Sequence, residues 1–225
     1  MNKFHSGLDL NNLIRNTMAE DINNTSEKFD KIKETFQKNK KIVVVAIIVL
    51  FALLLLSDFY NDRKVKKSEQ ASELFQQLLV SKTSDIDKLK SIADDLMNDY
   101  SSTPYASRAQ IIYVKTFIKN NEVNDDVKKR LLWASDNSVE PSIQSLANYY
   151  LGLIALSVNS LEEASRFANL IKSKGYQGFK FDLLGDIAHS DGKIEEARDH
   201  YQKAISSFSA QSDFARVIEY KLQNL

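Results

Sequence analysis

Apolar residues are distributed unevenly along this chain. Ile42–Leu56 (IVVVAIIVLFALLLL) is a run of fifteen consecutive apolar residues with a lysine cluster before it and a basic cluster after it. As an α-helix the run covers roughly 22 Å, and extension to Lys40 and Tyr60 gives about 31 Å, close to the hydrocarbon thickness of a bilayer. A core helix of a soluble protein would carry a polar stripe, which is absent here. The pattern predicts a membrane-spanning anchor over residues 42–60, with Ile42–Leu56 in contact with lipid.

The residues on either side of this run predict whether it is cleaved and how it is oriented in the membrane. A cleaved signal peptide needs a short basic start and small residues at its cleavage site, but 41 residues precede the run and residues 56–59 (LSDF) offer no convincing pair. An uncleaved anchor fits better. Six lysines lie at positions 28–41 and four basic residues at 63–67. This excess predicts a cytoplasmic N-terminal segment, residues 1–41, and a C-terminal domain, residues 61–225, across the membrane.

The N-terminal segment contains one short amphipathic pattern. Phe29, Ile32 and Phe36 follow each other at three- and four-residue steps and share one helix face. Two interpretations remain open. The helix binds a membrane interface or a partner, or it is a helical extension of the anchor, and the second is favoured.

After the anchor, apolar positions recur at helical spacing, and no stretch shows the two-residue alternation of strands. Prolines mark two helix starts, and a turn is predicted where Gly175 and Gly178 flank Tyr176. The predicted helices are Val65–Val80, one capped by Ser84, one after Pro104, Asp125–Ala134, Pro141–Ser157 and a terminal helix Phe214–Leu222.

A 33-residue repeat sharpens the fold prediction. Leu151-Gly152 recurs as Leu184-Gly185 in the same frame as Ala155 and Ala188, and the motif LEEA recurs as IEEA. A glycine in one helix and an alanine in the next allow close helix packing, as in tetratricopeptide (TPR) repeats with a period near 34. The predicted fold is all-α, with a single transmembrane helix followed by a TPR-like α-solenoid. The predicted repeat-packing residues are Gly152, Ala164, Gly185, Ala197, Tyr201 and Ala204. In residues 105–134 the repeat is degenerate, with Asp126 at the small-residue position.

Composition excludes several classes of function. Thirty basic and thirty acidic side chains leave no basic excess for nucleic-acid binding, and the absence of cysteine rules out disulfides and thiol nucleophiles. His5, His189 and His200 have no metal-ligand spacing, and the two helical histidines are expected to be exposed. Paired glutamates fall at helix starts, where the helix dipole favours them. With no phosphate loop or nucleophile elbow, we predict a non-enzymatic protein without cofactor, metal site or small-molecule substrate.

TPR register predicts a partner-binding surface on the first helices of the two best repeats. We call this set of residues the inner surface: Tyr149, Leu153, Leu156, Phe179, Asp182, Asp186 and His189. Peptide-carboxylate capture would require Lys, Arg and Asn at these positions, so the two aspartates disfavour it. An apolar groove with an acidic side predicts binding of extended apolar or basic segments.

Several short segments in the C-terminal part of the sequence resemble those of a known family. Residues 171–176 (IKSKGY), 182–186 (DLLGD), Gly192-Lys193 and the ending 221–225 (KLQNL) are similar to YfgM-like ancillary subunits of the bacterial SecYEG translocon. The resemblance covers residues 25–225, whereas the first twenty or so residues form an extra extension. It implies a single-pass inner-membrane protein with a periplasmic TPR-like domain that associates with translocon subunits, periplasmic chaperones or exported clients.

The leading functional hypothesis is therefore an accessory to protein export or periplasmic chaperoning at the Sec translocon. Two alternatives remain open because TPR surfaces are reused freely. One is a scaffold in cell division or envelope assembly, and the other is a regulatory subunit of an enzyme.

Overall fold

The computed structural model describes residues 10–82, 85–119, 122–209 and 212–225, and within these ranges it contains no β-strand. The all-α prediction is therefore confirmed for the described residues. Two predicted features, the histidine at position 5 and the cap at Ser84, lie outside them. The helices are α1 (Leu10–Val80), α2 (Ile86–Asp99), α3 (Pro104–Lys119), α4 (Asp125–Asn137), α5 (Pro141–Ser157), α6 (Leu161–Leu170), a 3-10 turn at Lys174–Tyr176, α7 (Gln177–Ser190), α8 (Ile194–Ser206) and α9 (Asp213–Gln223).

The chain divides into two units between Arg63 and Lys64. In the first unit, α1 carries the apolar run with its side chains uncovered: Ile48, Phe51 and Leu55 are 61 %, 63 % and 68 % exposed. Such a surface is strongly unfavourable in water. From Lys28 onward, α1 is long and apolar enough to cross a membrane, as its length and composition show. The predicted apolar helix is present.

The second unit is a row of packed helices. From α2 to α9 each helix packs against the next, and α5 also contacts both α3 and α7. Short connections between successive helices place them antiparallel. The alternate helices α3, α5 and α7 therefore form one layer of the row, and α4, α6 and α8 form the other. This arrangement is an α-solenoid.

Helix boundaries follow local capping chemistry. Asp85 caps α2 by accepting a hydrogen bond from the Lys88 backbone N–H at 3.3 Å. Pro141 begins α5, as predicted, because its missing N–H is not needed at the first helical position. The predicted turn around Tyr176 is present as the 3-10 turn Lys174–Tyr176, but its extension to Gly178 is wrong. Gly178 is buried in the first turn of α7, where an added Cβ would lie 2.4 Å from the Phe208 ring.

The repeat is visible in the backbone as well as in the sequence. Asn159 and Gly192, 33 residues apart, both have positive φ, 56° and 75°, in the turns after α5 and α7. In each turn the backbone N–H of the following residue donates a hydrogen bond to a carbonyl of the preceding helix. Ser160 N–H donates to Ala155 O and Lys193 N–H to Ala188 O, both at 2.9 Å. This is the left-handed cap that reverses the chain at a helix end. It gives two successive helix pairs the same connection.

The small residues of the repeat lie at helix contacts. An added Cβ at Gly152 would be 2.4 Å from Leu183 Cδ2, and one at Gly185 would be 2.5 Å from the Tyr201 ring. Both glycines therefore permit a neighbouring side chain to lie directly against their helix. The repeat residues of the second helices are fully or almost fully buried: Ala164, Ala197, Tyr201 and Ala204.

The degenerate repeat contains a buried polar network instead. Arg130 of α4 is only 2 % exposed. Its guanidinium bonds Asp94 at 2.6 Å, Asp126 at 2.9 Å and Gln110 Oε1 at 2.6 Å. The same group lies 4.2 Å from the centre of the Tyr113 ring.

Two partners of Arg130, Gln110 and Asp126, are themselves satisfied within the network. Gln110 donates through Nε2 to Ala93 O at 2.6 Å, so both ends of its amide are used. Burial alone would raise the pKa of Asp126, but the hydrogen bond and charge of Arg130 outweigh it and hold this pKa below its usual value. The prediction that Asp126 stands at the buried small-residue position is wrong, because its side chain is 37 % exposed and the neighbouring Val127 is fully buried instead. Asp126 serves as a counter-ion of Arg130.

Candidate partner-binding surface

The inner surface is formed by two adjacent helices of one layer. α5 contributes Tyr149, Leu153 and Leu156, which are all half-buried. α7 contributes the remaining four residues, of which Asp182 is buried and His189 is exposed. α5 and α7 pack directly against each other, and the ring centroids of Tyr149 and Phe179 lie 5.2 Å apart, so the two sets of residues meet at these rings. The predicted residues are apolar or aromatic on α5 and of mixed character on α7.

An aromatic cluster is centred on Phe179. Its ring centroid lies 5.2 Å from that of Tyr149 and 5.5 Å from that of Tyr176. Phe208 and Phe214 approach it edge-on at 5.1 Å and 4.8 Å. Edge-to-face contacts of this kind add to the stabilisation from burial. The cluster joins α5, α7 and α9, and Phe214 presents an apolar ring that is 56 % exposed.

The two predicted acidic residues are already paired within the chain. Lys221 Nζ of α9 donates to Asp182 Oδ1 at 2.7 Å and to Asp186 Oδ2 at 2.8 Å. The Tyr201 hydroxyl of α8 donates to Asp186 Oδ1 at 2.8 Å. We call these four residues, Asp182, Asp186, Tyr201 and Lys221, the Lys221 cluster. It ties α7, α8 and α9 together.

Burial and mutual charge explain the protonation properties of the Lys221 cluster. Burial, together with the neighbouring charge of Asp186, raises the pKa of Asp182 despite the opposing effect of Lys221. For Lys221, burial opposes the charged form, but the two carboxylates outweigh it and raise its pKa. Burial and the bond to Asp186 also raise the pKa of Tyr201, so its hydroxyl remains a donor at neutral pH. Both carboxylates are therefore committed to internal partners.

Sequence reasoning missed Lys221, which changes the character of the inner surface. Lys221 follows Ala215 and Ile218 at three-residue intervals, and both of these residues are buried. That spacing places a lysine beside the packing face of α9, where it needs an acidic partner. This spacing is the sequence signal from which an ion pair of Lys221 could have been predicted. Two carboxylates and one ammonium group leave at most one net negative charge for an incoming partner.

Neither of the two described histidines, His189 and His200, belongs to a group that could hold a metal ion. Within the described residues, no group of three or more His, Asp or Glu side chains is arranged to hold a metal ion. His200 was expected to be exposed, but its side chain is only 18 % exposed and its ring is stacked on Phe181. Its Nδ1 is buried without a hydrogen-bond partner. His189 is exposed at the end of α7, as predicted.

Comparison with known proteins agrees with this architecture. The family model described as tetratricopeptide repeat-like domain matches residues 33–225. A protein of Aggregatibacter actinomycetemcomitans named ancillary SecYEG translocon subunit is 21 % identical over 201 residues, covering 88 % of this chain and 96 % of the relative. A protein of the same name from Haemophilus influenzae is 22 % identical over 199 residues, with the same coverage. These matches confirm the predicted resemblance to such subunits. The repeated turns, the stacked helix pairs and the family match together show that the chain belongs to the tetratricopeptide repeat-like domain family.

Proposed function

We propose that this protein is a single-pass, membrane-anchored interaction module that assists protein export at the SecYEG translocon. The observation that carries the proposal is the length of the similarity to ancillary SecYEG translocon subunits, 96 % of each relative. Because it also covers 88 % of this chain, the match includes the apolar run at residues 42–60 as well as most of the repeat domain. A resemblance restricted to TPR-like helices would carry no such implication, because those helices serve many partners.

The proposed arrangement has three parts. Residues 1–41 lie in the cytoplasm, residues 42–60 cross the inner membrane, and residues 61–225 form the periplasmic repeat domain. The lysine excess before the apolar run supports this orientation. The exposure of the run supports its contact with lipid.

The inner surface is the proposed site for protein partners on the repeat domain. Half-buried Leu153 and Leu156 provide apolar contact area. The aromatic cluster centred on Phe179 adds the exposed ring of Phe214. Aromatic side chains of this type are the common anchors of protein interfaces. Partners of this surface would be translocon subunits, periplasmic chaperones or exported clients. The role is one of binding, without a catalytic step.

Photo-crosslinking in cells tests the association. With p-benzoylphenylalanine at position 60, at the end of the anchor, or at position 156, on the inner surface, we expect crosslinks that contain translocon subunits. The exposed position 202 on α8 is the matched control and should give none of these adducts. Absence of translocon subunits from the products at both test positions would overturn the proposed association.

The absence of cysteine makes the orientation directly measurable. Single-cysteine variants Lys33→Cys and Ser206→Cys place one exposed thiol in each unit. After permeabilisation of the outer membrane, a membrane-impermeant maleimide is expected to label Ser206→Cys but to label Lys33→Cys only after lysis of the inner membrane. The reverse pattern would show that the repeat domain is cytoplasmic.

A further inference from the structure

A second groove lies between α3 and α5, next to the inner surface. It has a volume of about 430 Å³ and is lined by Ile112, Lys115, Thr116, Ile118, Lys119 and Tyr150. We call it the Lys115–Lys119 groove. The ring of Tyr150 lies 6.1 Å from that of Tyr149, so the groove continues the inner surface along the same layer of helices. None of its residues belongs to the predicted set.

The two lysines differ from those of the Lys221 cluster. Lys115 and Lys119 are exposed and lie one turn apart on α3. The lysines that form ion pairs within the described part of the chain are Lys128, Lys193, Lys203 and Lys221. The groove therefore offers two cationic groups that no described carboxylate neutralises.

The floor of the groove is apolar. Ile112, Ile118 and Tyr150 are half-buried, and burial raises the pKa of the Tyr150 hydroxyl, which therefore stays neutral at physiological pH. An apolar floor bordered by two cations one helical turn apart complements an acidic amphipathic helix both in apolar contact and in charge. Its apolar side chains would fill the floor, and carboxylates one turn apart, about 6 Å along its axis, would meet the two lysines.

We propose that the Lys115–Lys119 groove binds an acidic amphipathic segment of a partner protein. This inference rests on the proposed function as an interaction module and specifies the chemistry of one of its partners. It also changes the charge expected of a partner segment from basic to acidic. The acidic residues of α7 are paired with Lys221, whereas the lysines of α3 are open to a partner, so electrostatic steering favours acidic segments over basic ones.

Direct binding to the full chain in neutral phosphatidylcholine nanodiscs tests the proposal. The probes are two fluorescent 16-residue helical peptides with identical leucine positions, one with glutamates and one with lysines at the remaining sites. Anisotropy, corrected with empty nanodiscs, is expected to show tighter binding of the acidic peptide. The double variant Lys115→Glu/Lys119→Glu should weaken acidic-peptide binding about tenfold at low salt, and added salt should no longer weaken that binding because it now screens repulsion.

A matched double variant controls for net charge. Lys193→Glu/Lys203→Glu makes the same charge change at side chains that are 59 % and 50 % exposed, and it should leave acidic-peptide binding unchanged. Preferential binding of the basic peptide, or equal losses in both double variants, would overturn the proposal. Concentration-dependent dimerisation that is lost only in Lys115→Glu/Lys119→Glu, without peptide binding, would also overturn it by identifying a second copy as the occupant. Any of these failures would leave the crosslinks at positions 60 and 156 intact, so failure of the groove is distinguishable from failure of the translocon association.

Discussion

Replacement of Arg130 by alanine is expected to lower the free energy of unfolding of the repeat domain by about 3–5 kcal/mol. The guanidinium is buried and serves Asp94, Asp126 and Gln110 at once. Its removal leaves these partners without their cation and opens a cavity beneath the Tyr113 ring. A loss of this size is a large fraction of the stability of a typical domain.

Urea unfolding of the full chain in mild detergent measures this effect. Trp133 of α4 is the only tryptophan, so its fluorescence reports on the repeat domain without a contribution from the anchor. Arg108→Ala is the matched control because Arg108 also binds a carboxylate through two hydrogen bonds, at 2.8 Å and 2.6 Å to Glu140. That side chain is 44 % exposed, and its loss is expected to cost about 1 kcal/mol or less.

A compensating variant separates charge from packing. Arg130→Met combined with Asp126→Ala removes the cation and one of its two anions while keeping an apolar side chain in the interhelical space. We expect part of the lost stability to return. Equal stabilities for Arg130→Ala and Arg108→Ala would contradict the assigned role of the network.

Replacement of Lys221 by alanine is expected to destabilise the repeat domain by about 2–3 kcal/mol and to loosen α9. The reason is the carboxylate of Asp182, which is 10 % exposed and would lose its cation. The expected loss is smaller than for Arg130 because Lys221 is 30 % exposed and water partly replaces it. Asp182→Asn in the same background removes the unpaired charge and should restore part of the stability.

Hydrogen exchange of the α9 amides is the direct readout, followed by urea unfolding. Lys203→Ala is the matched control, since Lys203 pairs with Asp199 one turn away on an exposed face of α8. Such pairs contribute only about 0.3–0.5 kcal/mol. Unchanged α9 exchange in Lys221→Ala, or an effect no larger than that of Lys203→Ala, would show that the Lys221 cluster does not hold the helix.

Much of the fold follows from local sequence signals. α5 has both predicted bounds because Pro141 starts it and the loss of helical spacing ends it after Ser157. α4 extends to Asn137, three residues beyond the prediction, since its last turn carries no apolar position that would mark it. Gly178 was misassigned because a glycine near a turn and a glycine beneath a packed ring have the same sequence signature. Only the position of Phe208 distinguishes them.

The candidate sites divide in the same way. Periodicity by itself determined the apolar helix and the helical repeats, because these properties depend on neighbours within a few turns. The inner surface, which rests on repeat register, stays a prediction. Tertiary structure alone decided that Asp182 and Asp186 are paired with Lys221, 39 and 35 positions away along the chain. It also decided that Lys115 and Lys119 border a groove with Tyr150. Charge pairing depends on distance in space, and the stacking of helix pairs brings together residues that no local pattern relates.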